Sequence, residues 1–312
     1  MTFRLGAVLV LAAACAAAAV AEEAKLEPQK LADGVWATAT PGGANAGWFS
    51  IGDIVVAVDA GANEDVGRAL VAEIQKTAGK KPRYLIVTHA HKDHAGGAPA
   101  FEAAGAQVVT SEKAATGVLL VLAAAAGGAA PKGAPAKPAN PLVLTIADHS
   151  LLAGTQPRRA EIHYLGPGHT QGDLIVLLPA DGVLFSGDLA VNGVLPFLRA
   201  ADADPRGWER ILASLSGLKF DKMVPGHGTI GPRDGLADTA AYIARVNAIV
   251  AKLLLTRPSD ALLDVQIAAP ENAIEHVPMS PEHIANVKAV YQRALAEREK
   301  ASPTPVPTPR TP

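Results

Sequence analysis

Thr88-His89-Ala90-His91-Lys92-Asp93-His94 follows directly on the apolar run Tyr84-Leu85-Ile86-Val87, and this junction sets the reading of the chain. An apolar strand that ends in alternating histidines directs His89 and His91 the same way, because side chains at i and i+2 of an extended segment share a face. Asp93 and His94 then fall on the turn into Ala95-Gly96-Gly97, where they can serve a second point in space beside the first. Three imidazoles and a carboxylate so closely spaced have the composition of a metal site, since imidazole is the commonest side-chain metal ligand. A solvated histidine-rich loop, or a strand end with satisfied core imidazoles, is the alternative for this stretch alone.

Upstream, Val35–Thr40, Trp48–Ile51 and Ile54–Asp59 read as short strands separated by Gly- and Asn-containing turns. Val66, Leu70, Val71 and Ile74 have helical spacing across Glu64–Thr77. Downstream, a helix over Gly97–Ala104 and a strand over Gln107–Thr110 complete a β-β-β-α-β-α progression. Residues 123–141 are low-complexity Ala, Gly, Pro and Lys, read as a mobile loop or lid.

Strand patterns resume at Leu142–Ile146, Glu161–Leu165, Leu174–Leu178 and Val183–Ser186, with Asp181-Gly182 as a hairpin turn between the last two. A helix over Gly207–Leu215 and a strand over Lys222–Val224 close this half, which repeats the order of the first. Two such halves predict two packed sheets with helices outside. Asp234–Leu255 is helical in pattern, and Ser280-Pro281-Glu282 opens a further helix with an N-cap serine and an N1 proline.

The chain has 312 residues, 49% hydrophobic and 19% charged, with a formal net charge of -2. That is ample for a large core, and the absence of a basic stripe argues against a nucleic-acid partner. A small-molecule substrate is expected, with the oligomeric state open. Residues 1–21 read as a signal peptide: Arg4, an apolar stretch from Leu5, and Ala19-Val20-Ala21 as a cleavage site. The expected location is the periplasm or the exterior, with no membrane span after cleavage. Cys15, the single cysteine, lies in this leader; its lipidation is the minor alternative, and the cleaved chain has no thiol.

Three further stretches put a ligand type beside glycines after an apolar run: Gly166-Pro167-Gly168-His169-Thr170, Ser186-Gly187-Asp188-Leu189 and Pro225-Gly226-His227-Gly228. A sheet lines its strand ends along one edge, so these groups can converge on a single cleft.

Together with His89-x-His91-x-Asp93-His94, their order and local context resemble the metallo-β-lactamase-fold hydrolases, over roughly Gly34 to Gly231. The resemblance implies a four-layer αββα sandwich, here as a domain over 22–233, followed by a C-terminal helical extension over 234–300 and a disordered proline-rich tail over 301–312. It also implies His89, His91 and His169 on one metal, Asp93, His94 and His227 on a second, and Asp188 bridging both. Two divalent ions are expected, zinc first, with iron or manganese compatible with an all-N/O donor set. The implied reaction is attack of a metal-bridging hydroxide on the carbonyl of an ester, thioester, lactone or β-lactam, with Asp93 also able to orient or shuttle the proton.

Asp188 sits where zinc β-lactamases generally have cysteine or serine, which points toward the thioesterase and lactonase side and toward exported members associated with quinoproteins or sulfur oxidation. A true zinc β-lactamase is the alternative, favoured by export. A di-iron redox protein of the same fold is a further one, disfavoured because such proteins usually have glutamate where His91 stands. Thr170 and Asp173 are expected to support His169 by hydrogen bonding. His149, His163, His276 and His283 are read as structural, while Asn192 and Trp208 are open between lining the pocket and plain packing or turn roles.

Overall fold

The computed structural model describes residues 25–126, 142–154 and 158–301. Residues 1–24, which include the expected leader and Cys15, residues 127–141 of the low-complexity run, residues 155–157 and the expected tail from Ser302 lie outside the described residues.

One sheet runs in chain order through β1 (Gln29–Ala32), β2 (Val35–Ala39), β3 (Asn45–Ile51), β4 (Ile54–Val58), β5 (Tyr84–Ile86), β6 (Gln107–Ser111) and β7 (Val143–Ile146). Its first four strands form an antiparallel meander, and β4 to β7 pair in parallel. The connections carry α1 (Glu64–Ala78), the single turn α2 (Lys92–Ala95), α3 (Ala98–Ala103) and α4 (Ala115–Ala126). Asn63 caps α1 by accepting from Val66 N at 3.0 Å, and Gly79 ends it in the left-handed region.

The second sheet has the order β13-β12-β11-β10-β9-β8: β8 (His149–Ala153), β9 (Arg159–Tyr164), β10 (Leu174–Leu178), β11 (Val183–Asn192), β12 (Lys222–Gly228) and β13 (Gly231–Pro232). Between β11 and β12 lies α5 (Pro205–Ser216), and the chain continues through α6 (Asp234–Thr256), α7 (Asp260–Ile267) and α8 (Pro281–Ala301).

The alternation of side chains along each strand builds the layers. In β10, Leu174, Val176 and Leu178 face Phe49, Val56, Val58 and Ile86 of the other sheet, whereas Ile175 and Leu177 join Trp208, Ile211, Leu212 and Ile243 of α5 and α6. Likewise Val56 and Val58 of β4 face the inter-sheet core, while Val55 and Ala57 pack with Leu70, Ile74, Phe101 and Val118 of α1, α3 and α4. The result is the four-layer αββα sandwich with C-terminal helices packed on it. Helix α6 is long and apolar enough to cross a membrane, but Val246, Ile249, Val250 and Leu253 are buried in the core of this outer layer.

Several elements differ from the sequence reading. β5 stops at Ile86, so His89 and His91 lie on an irregular turn rather than on the strand itself. β11 runs on to Asn192 through register shifts at Gly187, so Asp188 sits in a bulge inside the strand rather than after its end. Residues 123–126, expected as part of a loop, finish α4.

Candidate metal centre

Every one of the seven predicted donors reaches the same edge of the sandwich. The turn after β5 supplies four of them. Its short helix α2 begins with His91 at the N-cap, and one helical turn rotates Asp93 and His94 away from His89 and His91. His169 comes from the β9–β10 loop, Asp188 from the β11 bulge and His227 from β12.

The donors form two groups. In the first, His91 Nδ1 lies 3.1 Å from His89 Nε2 and 2.9 Å from His169 Nε2, and Asp188 Oδ2 is 3.2 Å from His169 Nε2. In the second, His227 Nε2 is 3.0 Å from Asp93 Oδ2, and His94 Nε2 is 3.8 Å from that oxygen. The other oxygen of Asp188, Oδ1, faces this group, at 3.1 Å from His94 Nε2 and 3.6 Å from His227 Nε2. One carboxylate thus divides its two oxygens between the two clusters.

This donor set fits divalent cations. A tetrahedral ion with nitrogen ligands at ~2.0–2.1 Å holds neighbouring nitrogens about 3.3 Å apart, close to the spacing of the three imidazoles. His94 Nε2 and Asp188 Oδ1 are buried without a hydrogen-bond partner. Unmet polar atoms in a dry interior are costly, and a shared cation removes the cost at both.

Electrostatics divide the same way. Burial pushes His169 down to about 4 and holds His89 well below the ordinary imidazole value, so both are neutral donors near pH 7. Burial also opposes charge on His94, but the carboxylates of Asp188 and Asp59 outweigh it and hold the imidazole well above its ordinary value. Burial opposes ionisation of Asp188 as well, yet His94 and His169 keep its carboxyl well below the usual range. Asp93 is held low against burial by its hydrogen bond to His227 and by His94.

Asp59 is the functional residue that the sequence reading missed. It follows β4 with φ 61, a left-handed conformation uncommon for a residue with a side chain. Its Oδ2 accepts from His94 Nδ1 at 2.8 Å and from the Thr88 hydroxyl at 2.9 Å, while Oδ1 accepts from Thr88 N at 2.8 Å. Since the Thr88 hydroxyl donates to Asp59, it can accept from His89 Nδ1, 3.1 Å away. One buried carboxylate thereby engages Nδ1 of His94 directly and that of His89 through Thr88, and turns both Nε2 atoms inward, where a cation would take them. The only sequence signal was an acid directly after an apolar strand.

Two glycines make room for this packing. A Cβ at Gly226 would lie 1.9 Å from Asp188 Oδ1, and one at Gly187, where φ is 49, would lie 2.8 Å from Thr88 Oγ1.

Asp173 and Thr170 do not hold the His169 ring as expected: Asp173 accepts from Thr170 N at 2.8 Å and from its hydroxyl at 2.7 Å, bracing the loop, and His169 Nδ1 is buried without a hydrogen-bond partner. Burial raises the Asp173 carboxyl to about 7. Trp208 stands behind the centre rather than in the cleft: it is fully buried, donates Nε1–H to Leu189 O at 2.9 Å, and meets the His169 ring edge-on. Asn192 braces a turn through Thr229 O. His149 and His163 stack on β8 and β9, His276 is exposed in a turn, and His283 is buried against the Tyr242 hydroxyl; none joins either donor group.

A cleft of about 690 Å³ opens over the centre, lined by His91, Asp93, Asp188 and His227 together with Val191, Val194, Leu195 and Phe197.

The family model of the metallo-beta-lactamase superfamily matches residues 39–227. A curated relative, the metallo-beta-lactamase type 2 of Bacillus sp. (strain 170), is 27% identical over 190 residues, covering 59% of this chain and 66% of its own length. The solved metallo-beta-lactamase from Pontibacter korlensis superposes with a TM-score of 0.57 at 26% identity, over 70% of this chain and 99% of that one. FIM-1 from Pseudomonas aeruginosa, in its mono-zinc form, shares the fold with a TM-score of 0.57 at 21% identity, over 70% of this chain and 95% of its own. The matched span holds all seven donors together with Asp59 and ends on His227, and the chain belongs to the metallo-beta-lactamase superfamily.

Proposed function

We propose that the protein is an exported dinuclear metal-dependent hydrolase that cleaves an ester, thioester or lactone. The observation that carries this reading is the division of Asp188: Oδ2 turns to the His89, His91 and His169 group, and Oδ1 to the Asp93, His94 and His227 group. These residues would hold two divalent cations, zinc first, with iron or manganese compatible with the same donors. When bound, such ions supply Lewis acidity and lower the pKa of water from ~15.7 toward ~7.

The chain's own groups do the rest. Thr88 and Asp59 keep the imidazoles of His89 and His94 in the donor tautomer. Asp93, ionised and partly open to the cleft, can take a proton from the attacking water and pass it to the leaving group. The apolar residues that share the cleft thin the water around the carbonyl and strengthen charge interactions there.

β-Lactam cleavage is the second reading, favoured by the curated relatives, which are metallo-beta-lactamases. The test is hydrolysis of a thioester, a lactone and a β-lactam by zinc-loaded and iron-loaded protein, with Asp188→Ala as control. Turnover of an acyl substrate that falls with metal content in the variant supports the reading. Stoichiometric metal without turnover of any of the three overturns it.

A further inference from the structure

We infer that the substrate carries an extended apolar arm, and that the C-terminal helices build and hold the groove that takes it; the inference rests on the hydrolase reading above. The cleft over the donors adjoins a second cavity of about 660 Å³ along Val191, Val194 and Leu195, and this second cavity continues to Tyr242, Ile274 and Val277, with Asp238, Glu275 and His276 also in its lining. Val194 is 49% exposed and Phe197 42%, so large apolar side chains stand open beside buried, charged ligands. An apolar surface leading away from convergent polar groups is the usual form of a site that orients a reacting head and buries an apolar substituent.

The loop bearing that surface is fixed from below. Asn286 of α8 accepts from Leu198 N at 3.2 Å and donates to Pro196 O at 2.8 Å. Arg293, two turns further along, donates to Leu198 O at 2.7 Å and Ala200 O at 2.9 Å. The Tyr242 hydroxyl accepts from Asn286 at 3.0 Å, tying α6 into the same clamp. The Arg199 guanidinium lies 4.6 Å from the centre of the Phe197 ring. A wall held this way is preorganised, which lowers the entropic cost of burying a substrate against it. All of α6, α7 and α8 lie beyond the span matched by the family model.

The experiment is calorimetric titration of the zinc-loaded full chain with acetate, butyrate, hexanoate and octanoate, alongside hydrolysis of the matching p-nitrophenyl esters. Affinity is expected to rise roughly fourfold per buried methylene until the groove is full. Val277→Asp should weaken octanoate at least tenfold more than acetate. Leu195→Ala, a milder change, should reduce the gradient in the same direction, and Asn286→Ala should raise KM for the octanoyl ester more than it lowers kcat. Affinity independent of chain length, or a gradient untouched by both Val277→Asp and Leu195→Ala, would overturn the groove. A gradient intact in a protein that cleaves none of the esters supports the groove and counts against the hydrolase reading alone.

Discussion

Asp59 Oδ2 lies 2.8 Å from His94 Nδ1, and the same oxygen accepts the Thr88 hydroxyl at 2.9 Å. The carboxylate therefore accepts from two side chains and, through Oδ1, from a backbone amide as well. Asparagine has nearly the same shape but only one accepting oxygen, so its NH2 would meet a donor. Asp59→Asn is expected to leave the fold intact and weaken metal binding about 10- to 100-fold, as for other changes behind a ligating histidine. Competition with a chromophoric chelator measures it. Unchanged affinity would mean that Asp59 serves the turn and not the ligands.

Gly226 offers a steric test of the Asp188 assignment. A methyl group there would lie 1.9 Å from Asp188 Oδ1 and 2.7 Å from Asp188 N, and neither β11 nor β12 can move far inside a sheet. Gly226→Ala should displace the carboxylate, lower the metal content of both groups and cost about 1–3 kcal/mol of stability. Elemental analysis with thermal melting reads both effects. Full occupancy of both ions in a folded variant would show that Asp188 is not the link between them.

The seven donors were legible because four crowd into one run behind an apolar strand, while His169, Asp188 and His227 each follow an apolar run and sit beside glycine, patterns that sequence records directly. Their supports were less so. Asp59 follows Val58 as any strand exit might, and its role depends on a left-handed backbone and on Thr88, 29 positions away. β1 and β8 were missed for a different reason. They are terminal strands whose side chains are largely open to solvent, with no apolar stripe to mark them. The bulge at Asp188 was hidden because its cause lies in the neighbouring strand: β12 pairs with β11 on both sides of Gly187, and the register must slip between them.

Trp208 tests whether packing behind the centre matters to it. The indole is fully buried, touches the His169 ring edge-on and donates to Leu189 O, one residue past Asp188. Trp208→Ala should cost about 3–5 kcal/mol, while Trp208→Phe keeps most of the volume and loses chiefly the hydrogen bond, about 0.5–1.5 kcal/mol. Denaturant melts of the metal-free proteins give both values. Equal costs for the two variants would place the stabilisation in the hydrogen bond instead of in the packing.

Metal uptake should be proton-coupled, with a sign fixed by His94. Against the effect of burial, Asp188 and Asp59 raise this imidazole well above its ordinary value, so the metal-free protein carries a proton there at neutral pH. Its folded-state value exceeds that of the unfolded chain. The ion pair therefore stabilises the metal-free fold fully below pH ~6.5, and that contribution is lost as the pH rises through the folded-state value. A cation taking Nε2 must displace the proton, so affinity should climb with pH across the neutral range and each binding event should release protons. Calorimetry at pH 7 in two buffers of different ionisation enthalpy counts them directly. Identical heats in both buffers would mean that His94 is already neutral before the metal arrives, and that Asp188 and Asp59 hold it by geometry alone.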